Sequence, residues 1–130
     1  MRLNQVMVSA RDLDASIAFY RTLGLRLIVK SEDYARFECP DGESTFSLHL
    51  EPSARGISET LIYFEDEDLD GLVARLKGKG VVFESDPVDQ RWLWREAYLR
   101  DPAGNLVCLF HAGRNRRYPP WRLSEADSGA

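Results

Sequence analysis

Apolar residues recur along the chain with helical and strand periods, in an order that appears twice. An apolar strand pattern at Leu3–Ser9 is followed by Asp12, a residue type that caps helix N-termini. Leu13, Ile17 and Tyr20 then mark one helical face at i, i+4 and i+7. Three further strand patterns complete this half of the chain: Arg26–Lys30, Tyr34–Cys39 and Thr45–Glu51. Residues 3–51 therefore predict the order strand, helix and three strands.

The second half predicts the same order over residues 60–111. It begins with a strand pattern at Thr60–Glu65, and Asp68 is a second candidate helix cap. Leu69, Val73 and Leu76 form the apolar stripe of the second helix. Three strand patterns follow this helix: Val81–Glu84, Trp92–Arg100 and Leu106–His111.

An internal repeat accounts for this order. Asp12-Leu13-Asp14 recurs as Asp68-Leu69-Asp70, and Gly24 recurs as Gly80 at the same spacing. We therefore predict one α+β domain at residues 1–113, in which two βαβββ modules (3–51 and 60–111) form a curled mixed sheet around a cleft. Residues 114–130 are predicted to be a C-terminal extension with a disordered end from residue 124.

Composition fits a single globular domain and excludes several classes of protein. The chain has 130 residues, of which 44% are hydrophobic and 29% charged, with a net charge of −4. A mildly acidic chain is a poor candidate for non-specific nucleic-acid binding. No apolar run is long enough to span a membrane, and Asp12 interrupts any signal-peptide core. Cys39 and Cys108 lie in strand patterns and are expected to be free thiols, so we expect a cytoplasmic protein.

Three stretches of the sequence carry a family resemblance: VSARDLDASIAFYRTLGL, FEDEDLDGLVARLKGKGV and LRDPAGNLVCLF. Through them, residues 3–111 resemble the vicinal oxygen chelate superfamily, which comprises glyoxalase I, bleomycin-resistance proteins and extradiol dioxygenases. The resemblance implies paired βαβββ modules, a cleft that takes a small molecule and a homodimer. Some members of the superfamily also bind a divalent metal, so the resemblance raises the question of a metal site in this chain.

Strand alternation assigns candidate ligand-binding residues to the faces that should line this cleft. They are Gln5, Met7, His49, Tyr63, Trp92, Trp94, Tyr98, Cys108 and Phe110. An aromatic surface with few polar groups is typical of small-molecule pockets. Core or dimer packing is the alternative for each of these rings.

The resemblance implies four metal-ligand positions, one on the first and last strand of each module. They fall on Gln5, at or near His49, on Leu61 and on Cys108. Leucine cannot bind a metal, although Gln5, His49 and Cys108 together could hold a divalent ion. We therefore favour a protein without a cofactor that binds a small planar organic molecule. The alternative is a metal-dependent lyase or dioxygenase that uses those three residues.

Two further catalytic arrangements are compatible with the sequence. Glu96 lies between Trp94 and Tyr98 on the predicted cleft face and could be a general base, or simply an exposed acid on an edge strand. Cys108 and His49 could form a thiolate–imidazole pair. The sequence is therefore compatible both with an enzyme and with a binding protein.

The C-terminal extension has a basic, proline-rich start. GRNRRYPPWR at residues 113–122 contains four arginines and no acid. This segment could bind nucleic acid, but without a basic fold behind it we expect no nucleic-acid partner. An extended strap that places Trp121 against the domain or a partner subunit is the preferred interpretation. Since the two modules could also close on each other in a monomer, the homodimer rests on the resemblance.

Overall fold

A computed structural model describes residues 1–54 and 60–129 of the chain. The first module contains β1 (Gln5–Ala10), α1 (Leu13–Leu23), β2 (Arg26–Lys30), β3 (Tyr34–Glu38) and β4 (Thr45–Leu50). The second contains β5 (Ile62–Glu65), α2 (Leu69–Gly78), β6 (Val88–Asp89), β7 (Arg95–Arg100) and β8 (Leu106–His111). Each forms a four-stranded mixed sheet, ordered β1-β4-β3-β2 and β5-β8-β7-β6, whose first two strands run parallel. The predicted α+β fold of two βαβββ modules is confirmed.

Both helices begin at the predicted caps. The Asp12 carboxylate accepts a hydrogen bond from the amide of Ala15 at 3.0 Å, and Asp68 accepts one from Gly71 at 3.2 Å. Gly24 ends α1 with a φ of 110°, a left-handed conformation that glycine adopts without steric cost. Within residues 1–54 and 60–129, no helix is long and apolar enough to cross a lipid bilayer.

One hydrophobic core joins the two modules. It lies between the helices and the sheet faces that they cover, and residues of both modules belong to it. Phe46 of β4 meets Phe64 of β5 edge to face with ring centroids 5.7 Å apart, and Tyr20 of α1 packs on Phe46 at 4.6 Å. This core occupies one face of each sheet, so the opposite faces remain for a site.

The turn between β7 and β8 ties the modules together through a buried carboxylate. Asp101 accepts hydrogen bonds from the Tyr20 hydroxyl at 2.7 Å and from the amides of Ala103 and Asn105 at 2.9 and 2.8 Å. The Asn105 side chain donates to Asp101 at 2.8 Å and to the carbonyl of Ser9 at 2.9 Å. The DPAGN sequence therefore links the second module to α1 and β1 of the first.

The strand predicted at Val81–Glu84 is wrong, because β6 is the two-residue strand Val88–Asp89. The amide of Val81 donates to the carbonyl of Leu76 at the end of α2, so this backbone closes the helix. The amide of Glu84 donates to the carbonyl of Tyr98 in the neighbouring strand at 2.8 Å, and the amide of Ser85 donates to the same carbonyl at 3.4 Å. The apolar alternation is present, but a ladder of backbone hydrogen bonds is not.

The strand predicted from Trp92 begins at Arg95 instead, because residues 90–94 form a turn. The Leu93 amide donates to the carbonyl of Gln90 at 3.0 Å, and Leu93 has a φ of 67°, which is uncommon for a side chain of its size. Leu93 is therefore exposed rather than on the core face that alternation predicts. Other strand ends differ from the predictions by one or two residues, which is the usual spread between assignments.

The C-terminal extension contains a short 3-10 turn at Gly113–Arg116 and one turn of helix, α3, at Glu125–Ser128. Ser124 caps α3 by accepting from the amide of Asp127 at 3.2 Å, and the disordered end from residue 124 stays a prediction. Residue 130 lies outside the described residues. Residues 121–129 are exposed.

Candidate functional site

A cluster of aromatic rings covers the face of the second sheet that the core leaves free. Trp94, just before β7, stacks on Phe110 of β8 with ring centroids 4.8 Å apart and planes inclined by 21°. Tyr63 of β5 meets both rings edge to face, at 5.8 and 5.5 Å. Cys108 lies beside Tyr63 in the strand register and beside Tyr98 on its other side. We call this surface, formed by Tyr63, Trp94, Tyr98, Cys108 and Phe110, the aromatic face.

Glu96 is buried at the edge of the aromatic face. Glu96 is 2% exposed, and it lies beside Phe110 in the register of β7 and β8. The Tyr98 hydroxyl donates to Oε1 at 2.6 Å, and the Trp92 indole N–H donates to Oε2 at 3.1 Å. Glu96 is therefore a buried, hydrogen-bonded carboxylate rather than an exposed acid on an edge strand.

The other titratable groups of the aromatic face are held neutral. Burial, followed by the nearby Glu96 carboxylate, raises the pKa of the Cys108 thiol to about 12. Burial and the hydrogen bond to Glu96 raise the pKa of Tyr98, and burial raises the pKa of Tyr63. A neutral thiol is a poor nucleophile and a poor metal ligand.

The remaining predicted residues lie on the free face of the first sheet. Gln5 and Met7 of β1 and His49 of β4 are exposed there. Among the residues that the structure describes, no hydrogen bond, ion pair or ring contact joins these three to the aromatic face. The structure therefore divides the predicted site into an aromatic half and a more polar half, and it does not bring Cys108 and His49 together as a catalytic pair.

Two residues on the polar half were not identified from the sequence. Arg36 lies beside Ser47, and Tyr34 lies beside His49, in the β3–β4 register. Arg36 Nε donates to the Tyr34 hydroxyl at 2.9 Å, and the guanidinium carbon lies 5.4 Å from the centre of the Tyr34 ring. The alternation of β3 carries the signal, because Ala35 and Phe37 are on its core face.

The sequence profile of the Glyoxalase/Bleomycin resistance protein/Dioxygenase superfamily matches residues 2–109. The chain belongs to this superfamily. Its members share the paired βαβββ arrangement that the two sheets display, so the superfamily accounts for the repeat and for the motifs at both helix starts.

Individual proteins of similar sequence or structure point the same way. The chain is 31% identical over 129 residues to the uncharacterized protein YraH of Bacillus subtilis (strain 168), covering 85% of this chain and 98% of that protein. Its structure is similar to that of a bleomycin-binding protein complexed with bleomycin, with a TM-score of 0.72 and 22% identity over 85% and 98% of the two chains. A lactoylglutathione lyase from Agrobacterium tumefaciens gives a TM-score of 0.69 and 23% identity over 94% and 97%. At these identities the structural likeness concerns the fold.

The two metal-ligand positions of the first module, Gln5 and His49, do not fit the divalent metal that the superfamily often uses. Gln5 pairs with Thr45 in the parallel register, whereas His49 pairs with Ser9, four positions further along. That spacing separates Gln5 and His49 by roughly 13 Å along the sheet at about 3.3 Å per residue, too far for both to bind one ion. The Gln5 side-chain oxygen instead accepts a hydrogen bond from the Thr45 hydroxyl at 2.8 Å.

The second-module positions are no better suited to a metal. Leu61 has no donor atom and packs against the cluster of Cys108, Phe110 and Ala112. The buried Cys108 thiol is protonated at neutral pH because its pKa is raised. In the described part of the chain, no three His, Cys, Asp or Glu side chains are grouped so that they could hold a metal ion. The residues present therefore do not fit the superfamily's metal.

Proposed function

We propose that the protein binds a small planar organic molecule on the aromatic face without using a metal. The observation that carries this proposal is the stack of Trp94 on Phe110 with Tyr63 set edge-on against both. Tyr63 is 44% exposed although it belongs to this cluster, so its ring is accessible from solvent, whereas Trp94 is half-buried and Phe110 is buried. The bleomycin-binding neighbour supports a ligand-binding role for this fold.

The chemistry of the face favours a flat, largely apolar ligand. Offset stacking and edge-to-face contacts between rings each contribute about 0.5–1.5 kcal/mol beyond the burial of their area. Few polar groups lie near the rings. One of them, Trp94 Nε1, is held in place because it donates to the carbonyl of Asn115 at 3.3 Å. Such a surface would select its ligand by shape and would orient it through Glu96 and Tyr98.

Tryptophan fluorescence tests this proposal with naphthalene-2-carboxamide as a neutral planar probe. We expect saturable quenching, because the probe would contact Trp94 directly. The Trp121→Phe variant is the control, since Trp121 lies in the exposed extension and its removal should leave the titration unchanged. Saturable quenching that disappears in Trp121→Phe would place the ligand outside the aromatic face.

The metal-free character of the proposal gives a second expected outcome. Protein purified without chelator should carry less than stoichiometric metal, and EDTA should leave its melting temperature unchanged. The reason is that Leu61 supplies no ligand atom and that Gln5 and His49 lie far apart in the register. Elemental analysis by plasma mass spectrometry measures the first quantity. One tightly bound zinc or iron per chain would contradict the proposal.

A homodimer that buries part of the C-terminal extension is also proposed. Glu65 fixes the start of the extension by accepting from the amides of Ala112 and Gly113 at 2.7 and 2.9 Å. Beyond this anchor, Tyr118 and Trp121 are both exposed, and large exposed rings mark protein interfaces. The strap Tyr118–Trp121 would then lie against the partner subunit.

Light scattering at micromolar concentration should give twice the mass of the 14.9 kDa chain. Truncation after Gly113 should weaken the dimer, because it removes both exposed rings but keeps the Glu65 anchor. A mass equal to one chain for the full-length protein would contradict the dimer. A full-length dimer that truncation does not weaken would refute only the strap.

A further inference from the structure

Glu96 is a buried carboxylate without a cationic partner among the described residues. Each ion pair found there joins other acids, and the two arginines of β7 are engaged elsewhere: Arg95 with Asp70 and Asp89, and Arg100 with Glu84. The two groups that donate to Glu96, the Tyr98 hydroxyl and the Trp92 indole, are both neutral. The carboxylate is therefore hydrogen-bonded but not charge-compensated.

A buried carboxylate without a cationic partner suits a ligand that carries a positive charge. Burying an ionised carboxylate is unfavourable unless it is paired, and a carboxylate has about four acceptor positions, of which the two donors here use two. The rings of Tyr63 and Trp94 lie on the same face, and the faces of aromatic rings attract cations. The Glu96 carboxylate and the rings of Tyr63 and Trp94 would therefore both attract the same cationic group.

We propose that the ligand of the aromatic face carries a protonated nitrogen, in an amidine, guanidine or amine attached to a planar ring, and that this nitrogen donates to Glu96. The inference rests on the proposed function and adds the charge and hydrogen-bonding class of the ligand. A flat ring would lie against the aromatic cluster while its cationic group reaches the carboxylate.

Trp92 is the donor that such a ligand would replace. It is 38% exposed and lies in the turn before β7, outside the strand ladder. Its indole N–H is 3.1 Å from Oε2, a longer contact than the 2.6 Å between the Tyr98 hydroxyl and Oε1. A charged donor makes a stronger hydrogen bond to a carboxylate than a neutral indole. Displacement of one half-exposed side chain would therefore open Oε2, while Tyr98 keeps the carboxylate in place.

Three probes with the same bicyclic ring test the inference: naphthalene-2-carboxamidine, which is cationic, its neutral carboxamide and its anionic carboxylate. Dissociation constants are measured by isothermal titration calorimetry at one pH and ionic strength. We expect the amidine to bind at least about tenfold more tightly than the amide, since the difference between them is a charged hydrogen bond. The carboxylate should bind more weakly than the amide, because Glu96 repels it.

The Glu96→Gln variant should abolish the preference for the amidine, so that the amidine and the amide bind with affinities within about twofold of each other. Glu84→Gln is the matched control, since it removes one exposed negative charge from the same module and should keep the preference. Trp92→Phe gives a second measurement that does not alter the carboxylate. It keeps a ring but removes the competing N–H, so the ratio of amidine to amide affinity should rise.

Equal affinities for the three probes, with binding that still depends on Trp94, would overturn the inference but not the proposed function. A preference for the amidine that survives Glu96→Gln, or that is lost in Trp92→Phe, would also overturn it. Binding of the probes that does not depend on Trp94, or no binding of any of them, would instead count against the proposed function itself.

Discussion

Replacing Asp101 with alanine is expected to lower the free energy of unfolding by roughly 3–5 kcal/mol, because each buried donor left without an acceptor costs about 1–3 kcal/mol. The donors are the Tyr20 hydroxyl, the amides of Ala103 and Asn105 and the Asn105 side chain. Asp101 is 4% exposed, so water cannot readily take its place. Urea denaturation followed by circular dichroism measures this loss.

Two milder variants show whether the carboxylate is the cause. Tyr20→Phe removes one donor together with its need for an acceptor, so it should cost only about 1 kcal/mol. Asp101→Asn keeps one acceptor oxygen and should fall between Tyr20→Phe and Asp101→Ala. A loss of less than about 1 kcal/mol for Asp101→Ala would mean that the turn does not join the modules as described.

Replacing Trp94 with alanine is expected to weaken binding of naphthalene-2-carboxamide by roughly 1–3 kcal/mol, the range for a buried aromatic anchor. The variant removes the ring that stacks on Phe110 and that Tyr63 contacts edge-on. Calorimetric titration gives the affinity without relying on the fluorescence of the residue that is removed.

Trp121→Ala is the matched control, because Trp121 is an exposed tryptophan outside the aromatic face, and its loss should leave the affinity unchanged. Circular dichroism should show that Trp94→Ala remains folded, since Trp94 lies outside the core that joins the modules. Wild-type affinity in Trp94→Ala would place the ligand site elsewhere.

Local patterns were sufficient to predict the fold. The repeated Asp-Leu-Asp triplet marks two helix starts, and the structure shows Asp12 and Asp68 capping α1 and α2 by the expected hydrogen bonds. Alternation separated the core side of most strands from the free side, because it depends only on neighbouring residues. The same rule fails where the backbone leaves the ladder, as at Leu93, which has a left-handed conformation and is exposed instead of lying on the core face.

The candidate site could be predicted only in part, because its geometry depends on contacts between distant strands. Counting from motifs assigns a metal position at or near His49, but register determines which residues are neighbours, and it places Thr45 beside Gln5. Similarly, no local pattern shows that Glu96 is buried or that Trp92 reaches it from a turn. Part of the aromatic face was predictable, because Tyr98, Cys108 and Phe110 follow the alternation of β7 and β8.

The indole N–H signals of the three tryptophans test the central claim most directly. In a ¹⁵N-tryptophan-labelled sample, each indole gives one resonance that a Trp→Phe variant assigns. Addition of naphthalene-2-carboxamide should shift the signals of Trp92 and Trp94 and leave that of Trp121 unchanged, if the aromatic face binds planar molecules. Saturable shifts confined to Trp121, or no shift of Trp92 and Trp94 at saturating probe, would contradict the account.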